Sequence, residues 1–276
     1  MEYNIIADSC CDVTEELQSR VKISTVPLTL TVGEQVLVDD STLQMKQFME
    51  TMKHTKEKTT SGAPSPAAFC DKIQKDSVNF IVTLSANISA SYQSAMTAKG
   101  IMDKEGAQTY VFNTMSACAG ESLVALKLND LIHLGLDTME IVARVQAFIK
   151  DMKTYFVLED LSNLIKSGRL SRISGRILTA LNIRPIMGAD DKGFIAQYSH
   201  GRGKKQVIER LLRLITDSKK KTRGERLVIS HCNNPGFACD FSEKVRGMFE
   251  FDEIVINETR GTSSLYANDQ GIIIAF

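Results

Sequence analysis

The chain of 276 residues has no excess charge of either sign and no long apolar segment. Its 33 Lys and Arg balance 33 Asp and Glu, so the formal net charge is zero. Proteins dedicated to nucleic-acid binding normally carry a basic excess, which argues against nucleic acid as a partner. A transmembrane helix needs about 20 consecutive apolar residues, and no run in the sequence approaches that length. We therefore expect no membrane span.

The sequence also lacks the common motifs of metal, nucleotide and hydrolase sites. Its four histidines are scattered without a His-x-x-x-His pair, and no Cys-x-x-Cys occurs, so metal binding has little support. Neither Gly-x-Gly-x-x-Gly nor Gly-x-x-x-x-Gly-Lys-Ser/Thr is present, which argues against a nucleotide phosphate loop. The Gly-x-Ser-x-Gly elbow of α/β-hydrolases is missing as well. We expect neither a metal nor a cofactor.

The first residues and the cysteines bear on the compartment. Residues Met1–Asp8 predict a strand at once, which leaves no room for the basic and apolar regions of an export signal. Six cysteines show no disulfide or zinc spacing. The adjacent pair Cys10-Cys11 is compatible with redox activity, although reduced thiols used as small apolar fillers are the more common case. We expect a cytoplasmic protein.

Strand and helix patterns alternate along the first half of the chain and change rhythm near residue 153. Short apolar runs such as Phe80–Leu84 predict buried strands, and Gly120–Leu134 and Asp137–Met152 predict long amphipathic helices. This alternation indicates a parallel, three-layer α/β domain over residues 1–153. The remainder, 154–276, predicts a smaller α/β domain with a mixed sheet, including a hairpin at Asp190–Gly193 and a helix over Ile173–Leu181.

The most informative segment is the hydroxyl-rich turn that follows strand Phe80–Leu84. Four serines, Ser85, Ser89, Ser91 and Ser94, lie between this strand and the next predicted helix. Helix N-termini carry unsatisfied N–H donors and partial positive charge, which suits an anion. No His, Cys, Lys or Asp lies within the turn to activate a serine. The segment therefore fits binding of a carboxylate or phosphate better than attack on one.

Three further features weigh on the same question. The segments Asp8-Ser9 and Thr59–Ser61 are also predicted as hydroxyl-rich turns, and ligands of doubly wound sheets sit at such strand ends. Each alone is as well explained by ordinary helix capping. The guanidinium of Arg169, following Gly168, suits carboxylate recognition or a helix C-terminus equally well. The basic runs Arg202–Lys205 and Lys219–Arg223 predict a solvated surface or a docking patch for an acidic protein.

Taken as an ordered set, these residues resemble the DegV family of bacterial fatty-acid-binding proteins over nearly the whole chain. The resemblance is carried by the following segments: Asp8-Ser9, Val26-Pro27-Leu28, Asp39-Asp40, Thr60-Ser61, Pro64-Ser65, Ser89-Ala90-Ser91-Tyr92-Gln93-Ser94-Ala95, Leu161-x-x-Leu164-x-x-x-Gly168-Arg169, Leu181–Ile186, Gly193 and Arg202–Lys205.

The resemblance implies that one long-chain fatty acid is gripped between two domains, with its tail in an apolar tunnel. It also implies a non-catalytic carrier that presents the carboxylate to a separate fatty acid kinase. The residues expected to bind the ligand are Thr60, Ser61, Ser89, Ser91, Arg169 and Tyr266. Ala90 stands where the family usually has Gly. The family commonly has a His near the head group in its C-terminal segment. In this chain Ala267 falls closest to that position, and Tyr266 or Asn268 occupies it under a shifted alignment.

Two other functions compete with fatty-acid binding. A serine hydrolase or acyltransferase would use Ser89 or Ser91 as its nucleophile, although no base is visible nearby. A regulatory module would dock through Arg202–Lys205 and Lys219–Arg223. Activated-ester turnover distinguishes the first, and salt-sensitive partner binding the second.

Overall fold

The computed structural model describes residues 2–55, 57, 59–171 and 183–276. The strands within them are β1 Tyr3–Asp8, β2 Ile23–Val26, β3 Thr29–Val32, β4 Gln35–Val38, β5 Thr59–Gly62, β6 Val78–Thr83, β7 Gln108–Asn113, β8 Thr154–Val157, β9 Ile183–Ala189, β10 Ile195–Arg202, β11 Arg226–His231, β12 Glu253–Glu258 and β13 Ile272–Ala275. The helices are α1 Glu15–Arg20, α2 Met45–His54, α3 Pro66–Cys70, α4 Ser91–Lys104, α5 Ala119–His133, α6 Thr138–Asp151, α7 Ser162–Lys166, α8 Gly203–Asp217, α9 Pro235–Arg246 and α10 Gly261–Ala267.

The first sheet is wholly parallel, in the order β2-β1-β6-β7. Every residue of β6 is buried, which explains why its centre, Phe80–Val82, is apolar at successive positions rather than alternating. Helices α4 and α5 both pack on this sheet. The parallel α/β architecture predicted for the first half is therefore confirmed.

A second sheet of three antiparallel strands, in the order β4-β3-β5, corrects one sequence prediction. Thr59–Ser61 is part of strand β5 and not of a turn, because its backbone pairs with β3. The pairing joins segments about thirty positions apart along the chain, and a hydroxyl-rich run gives no local signal for such a partner. Side chains alternate between the two faces of a strand, so Thr60 and Ser61 point in opposite directions.

The third sheet is mixed, as predicted, in the order β10-β9-β8-β13-β11-β12. Only β11 and β12 run parallel, and the other neighbours are antiparallel. The predicted hairpin joins β9 to β10, with Gly193 at φ +79° accepting the left-handed turn conformation. All six strands of this sheet follow residue 153, whereas all strands of the other two precede it.

The largest hydrophobic core is shared by both parts of the chain. It joins Ile5, Phe80 and Leu123 to Val228 and Ile273. Helix α5 makes this possible, because it packs on β1 and β6 of the first sheet and also on β11 and β13 of the third. The division at residue 153 stays a prediction about domains, since the apolar packing is continuous across it.

Several local predictions need correction. Ser41, with Gln44 three residues later, predicts a capping box for a helix over Gln44–Lys53. Ser41 does not cap α2, however, and its N-cap Gln44 makes no side-chain capping bond. The segment Leu161–Leu170 predicts one helix that stops at Gly168, but it contains only the short α7 followed by turns. Helix α10 was not predicted. The helix predicted over Ile173–Leu181 lies outside the described residues. By contrast, Ser65 followed by Pro66 predicts the start of a helix, and Ser65 does cap α3, since its hydroxyl accepts from the Ala68 N–H.

No helix among the described residues has the length and apolar character needed to cross a bilayer.

Candidate functional site

A largely apolar cavity lies between the third sheet and the loops that follow β6 and β7. It contains about 850 Å³ of empty space, counting the solvent at its opening. Both parts of the chain contribute to the lining, which consists of Cys10, Leu28, Ser61, Leu84, Ile88, Ser89, Met115, Ser116, Ala117, Cys118, Thr154, Phe156, Leu158, Leu164, Arg169, Gly188, Ala189, Gly193, Phe194, Ile195, Thr262, Ser263, Tyr266, Ala267 and Ile273.

Polar groups from three separate segments meet on this lining. Ser61 on β5 and Tyr266 on α10 are 205 residues apart, yet their hydroxyl oxygens lie 3.0 Å apart. The guanidinium carbon of Arg169 lies 5.3 Å from the centre of the Tyr266 ring, close enough for a cation–π interaction. The structure therefore brings together three residues that the sequence proposed for ligand binding.

The turn after α7 fixes the direction of Arg169. Gly168 has φ +77°, which a glycine adopts without strain. The Arg169 N–H then donates back to the Leu164 carbonyl at 3.1 Å, closing the helix end. Its side chain donates from Nε to the Ile88 carbonyl and from Nη1 to the Ser167 carbonyl, both at 3.2 Å. These bonds hold the cation at the cavity rather than in solvent.

Ser89 lies two residues before the first residue of α4 and contributes a hydroxyl to the cavity lining. Its Oγ accepts from the Ser91 N–H at 3.2 Å, which leaves the hydroxyl hydrogen available to a ligand oxygen. The position is also favourable for an anion because α4 is a fourteen-residue helix with its N-terminus here.

Thr60 and Ser91 do not belong to the lining. Thr60 is half-buried on the face of β5 opposite Ser61. Ser91 is fully buried, and its Oγ donates to Asp8 Oδ2 at 2.6 Å. Its hydroxyl therefore helps to hold the start of α4 against β1. Direct contact of either residue with a ligand stays a prediction.

The hydrolase alternative gains little from this geometry. Nucleophilic serines are activated by an adjacent base, and no histidine is a hydrogen-bond partner of Ser89 or Ser91 in the described part of the chain. Ser91 is in addition inaccessible to a substrate. Among the described residues, no group of three or more His, Cys, Asp and Glu is arranged to hold a metal ion.

Four carboxyl groups lie buried beside the cavity, and the sequence indicated the burial of none of them, although Asp8 and Asp39 belong to segments noted above. Asp8, Asp12, Asp39 and Glu121 are each at most 2% exposed. Burial raises the pKa of all four, and that of Asp12 and Glu121 well above the usual value. Asp39 Oδ2 accepts from Ser9 Oγ and from the N–H and hydroxyl of Thr262, at 2.7–2.8 Å.

Glu121 allows the raised pKa of a buried carboxyl group to be tested. Its oxygens lie near the Asp8 carboxyl and the Cys10 thiol without a well-formed hydrogen bond among the described residues, and burial followed by the charge of Asp8 raises its pKa. A raised pKa stabilises the fold below the unfolded-state pKa of about 4.3, and this stability is lost as pH rises through the folded-state pKa. The free energy of unfolding should therefore fall in that window by up to about 1.4 kcal/mol per pH unit for this group.

Glu121→Gln should flatten that dependence, so that the variant gains stability relative to the parent as pH rises. Urea unfolding across a pH series measures it. The exposed Glu15 provides the control, because Glu15→Gln should leave the curve parallel to that of the parent. Parallel curves for Glu121→Gln as well would contradict the shifted pKa.

Comparison with known proteins decides the family. The family model described as "Uncharacterised protein, DegV family" matches residues 2–275, nearly the whole chain. This chain belongs to the DegV family. A DegV domain-containing protein from Streptococcus pneumoniae is 34% identical over 280 residues, covering 100% of this chain and 99% of the relative.

Solved structures of DegV proteins have the same fold. A DegV family protein from Ruminococcus gnavus, refined with vaccenic acid, matches with a TM-score of 0.95 at 33% identity, covering 100% of this chain and 99% of the other. The Streptococcus pneumoniae Fatty Acid Kinase (Fak) B3 protein, loaded with linoleic acid, matches with a TM-score of 0.92 at 33% identity over the same shares.

The DegV assignment raises the question of what replaces the histidine expected from the family resemblance. Tyr266 presents its hydroxyl to Ser61 on the cavity lining. Ala267 also lines the cavity but contributes only a methyl group. Asn268 is engaged with the Asp160 carbonyl and the Asn163 side chain, outside the lining. Tyr266 is therefore the residue of the three that offers a polar group to the cavity.

Proposed function

We propose that this DegV protein binds one long-chain fatty acid non-catalytically in the cavity. The observation that carries the proposal is an apolar cavity whose lining includes one cation, Arg169, beside the hydroxyls of Ser61, Ser89 and Tyr266. The carboxylate is held by these four groups, and the acyl chain runs along the apolar lining as in a tunnel.

The energetics support separate roles for the apolar lining, which binds the acyl chain, and for the polar groups, which bind the carboxylate. Each buried methylene contributes about 0.8 kcal/mol, so a long acyl chain supplies ample affinity without a metal or cofactor. A buried carboxylate without partners is costly, and Arg169 with the three hydroxyls offsets that cost. The fatty acids bound in the two DegV structures that are 33% identical to this chain support the same ligand class.

We further infer that the bound carboxylate is presented to a separate fatty acid kinase. The name of the Streptococcus pneumoniae Fak B3 protein supports this role. The predicted cytoplasmic location fits a carrier that serves such an enzyme, and it stays a prediction.

Native lipid content tests the proposal. The protein is purified from a bacterial host without detergent, its bound lipid is extracted, and acyl species are identified by mass spectrometry. We expect about one fatty acid per chain, together with a rise in melting temperature when fatty acid is added to stripped protein. Protein without acyl species and without a rise in melting temperature would refute fatty-acid binding. Turnover of activated esters, lost in Ser89→Ala, would refute the non-catalytic role.

Tyr266→Phe is expected to weaken fatty-acid binding by about ten- to hundredfold, because a hydrogen bond to a charged group contributes about 1.5–3 kcal/mol. The substitution removes one oxygen and keeps the ring on which Arg169 lies. Displacement of a fluorescent fatty acid measures the change.

The matched control is Tyr110→Phe, whose hydroxyl contacts Gln108 and Met139 outside the cavity. This variant should bind like the parent. Equal affinities for Tyr266→Phe and Tyr110→Phe would place the carboxylate away from Tyr266.

A further inference from the structure

A second polar feature lies on the apolar lining, away from the carboxylate-binding groups. Ser116, in the loop between β7 and α5, and Thr154, at the start of β8, both line the cavity. Their hydroxyl oxygens lie 2.7 Å apart. Both residues are buried, at 3% and 7% exposure. A pair of hydroxyls in an otherwise apolar wall requires an explanation.

The course of β8 separates the pair from Arg169. Thr154, Phe156 and Leu158 alternate along β8 and the residue after it, so all three project from one face onto the cavity. Leu158 leads into α7 and Arg169, whereas Thr154 is at the opposite end of the strand. At about 3.3 Å per residue, four residues separate these ends by roughly 13 Å. An acyl chain anchored at Arg169 therefore points its distal part toward the hydroxyl pair.

The hydroxyls of Ser116 and Thr154 can form further hydrogen bonds with a ligand. Two hydroxyls carry two hydrogens and four acceptor lone pairs, and one hydrogen lies in the bond between them. The other donation recorded among the described residues is a long one, from Ser116 Oγ to the Ala117 carbonyl at 3.4 Å. Thr154 Oγ1 has no partner besides Ser116 in this part of the chain. The pair can therefore accept a hydrogen bond from a guest and can rotate to donate one.

The surrounding backbone makes room for the pair. A Cβ at Gly120 would collide with the Ser116 hydroxyl and would come within 3.2 Å of Thr154 Oγ1. Thr154 also lines a separate polar cavity at the surface, together with Lys150, Lys153 and Asp190. The wall at this end is thus one residue thick and hydroxyl-bearing, not a closed apolar cap.

From these observations we propose that the far end of the cavity recognises a hydroxyl group on the acyl chain, so that the preferred ligand is a hydroxy fatty acid. This inference rests on the proposed fatty-acid function. The ligand hydroxyl donates to Thr154 Oγ1 and accepts from Ser116 Oγ–H. In a wholly apolar cavity the same hydroxyl would be unpaired and would weaken binding.

The test compares stearic acid with hydroxystearic acids whose hydroxyl is moved stepwise along the chain, using lipid-stripped protein and displacement of a fluorescent fatty acid. We expect one positional isomer to bind about two- to tenfold tighter than stearic acid, the contribution of one or two neutral hydrogen bonds. Isomers whose hydroxyl lies elsewhere should bind about tenfold more weakly than stearic acid or worse.

Thr154→Val removes the hydroxyl at nearly constant shape and should reverse the preference, so that the favoured isomer binds more weakly than stearic acid. Thr154→Ser keeps the hydroxyl and should keep the preference. Because the readout is the ratio of two affinities, a general change in the cavity affects both ligands and cancels. If Thr154→Val does not fold, the isomer series on the parent protein decides.

The inference is overturned if every hydroxystearic acid binds the parent more weakly than stearic acid, or if Thr154→Val leaves the ratio unchanged. In those cases binding of stearic acid leaves the proposed function intact. If neither stearic acid nor any isomer binds, both the proposed function and this inference are refuted.

Discussion

Arg169→Met should weaken fatty-acid binding by about ten- to hundredfold or more, since hydrogen bonds between charged groups are worth about 1.5–3 kcal/mol and this change also removes the opposite charge. Arg169 is the one Lys, Arg or His among the described residues that line the cavity. Methionine keeps much of the apolar stem, so the cavity should retain its shape. Displacement of a fluorescent fatty acid by stearic acid measures the loss.

Two comparisons make the result specific to the carboxylate. Stearyl alcohol, which has the same chain without the charge, should bind Arg169→Met and the parent with similar affinity. Arg169→Lys should fall between the two proteins, because a lysine keeps the charge but not the planar contact with Tyr266. Unchanged affinity of Arg169→Met for stearic acid would mean that the carboxylate lies at another part of the lining.

Asp39→Ala should lower the free energy of unfolding by about 3–5 kcal/mol, because each buried donor left without an acceptor costs about 1–3 kcal/mol. Asp39 is 2% exposed and accepts three hydrogen bonds from Ser9 and Thr262. Its removal leaves those donors buried without an acceptor. Because Thr262 belongs to α10, the substitution also loosens the helix that carries Tyr266. Urea unfolding monitored by circular dichroism measures the effect.

The neighbouring Asp40 offers a matched control. Among the described residues its side chain accepts from the N–H and hydroxyl of Thr42 alone, in an exposed turn. Asp40→Ala should therefore cost about 1 kcal/mol or less. A similar loss for both variants would show that the buried network at Asp39 contributes nothing beyond a local turn.

Features determined by neighbours in sequence could be predicted well. The run Phe80–Leu84 is a buried strand because apolar β-formers leave it no exposed face. Ser65 followed by Pro66 begins a helix, because the hydroxyl accepts a free N–H and proline needs no donor there. The hairpin at Asp190–Gly193 follows from a glycine that can adopt positive φ.

Features determined by partners distant in sequence could not be predicted. Thr59–Gly62 becomes a strand only because β3 is beside it. Ser91 looked like a candidate ligand-binding residue, yet it is bonded to Asp8, 83 positions earlier. Glu121 occupies the first turn of α5, where an acid is favourable in any helix, so nothing local marks it as buried. The proximity of Ser61 and Tyr266 likewise depends on how α10 packs against β5.

The continuous apolar packing through helix α5 constrains how a guest can enter and leave. A rigid-body opening between the two parts of the chain would separate α5 from β11 and β13. It would expose buried side chains such as Leu123 and Val228 to water. Such a motion would forfeit much of the free energy that keeps the protein folded. Ligand binding and release must therefore be local, with side chains and loops at the cavity opening moving while the packing around α5 stays intact.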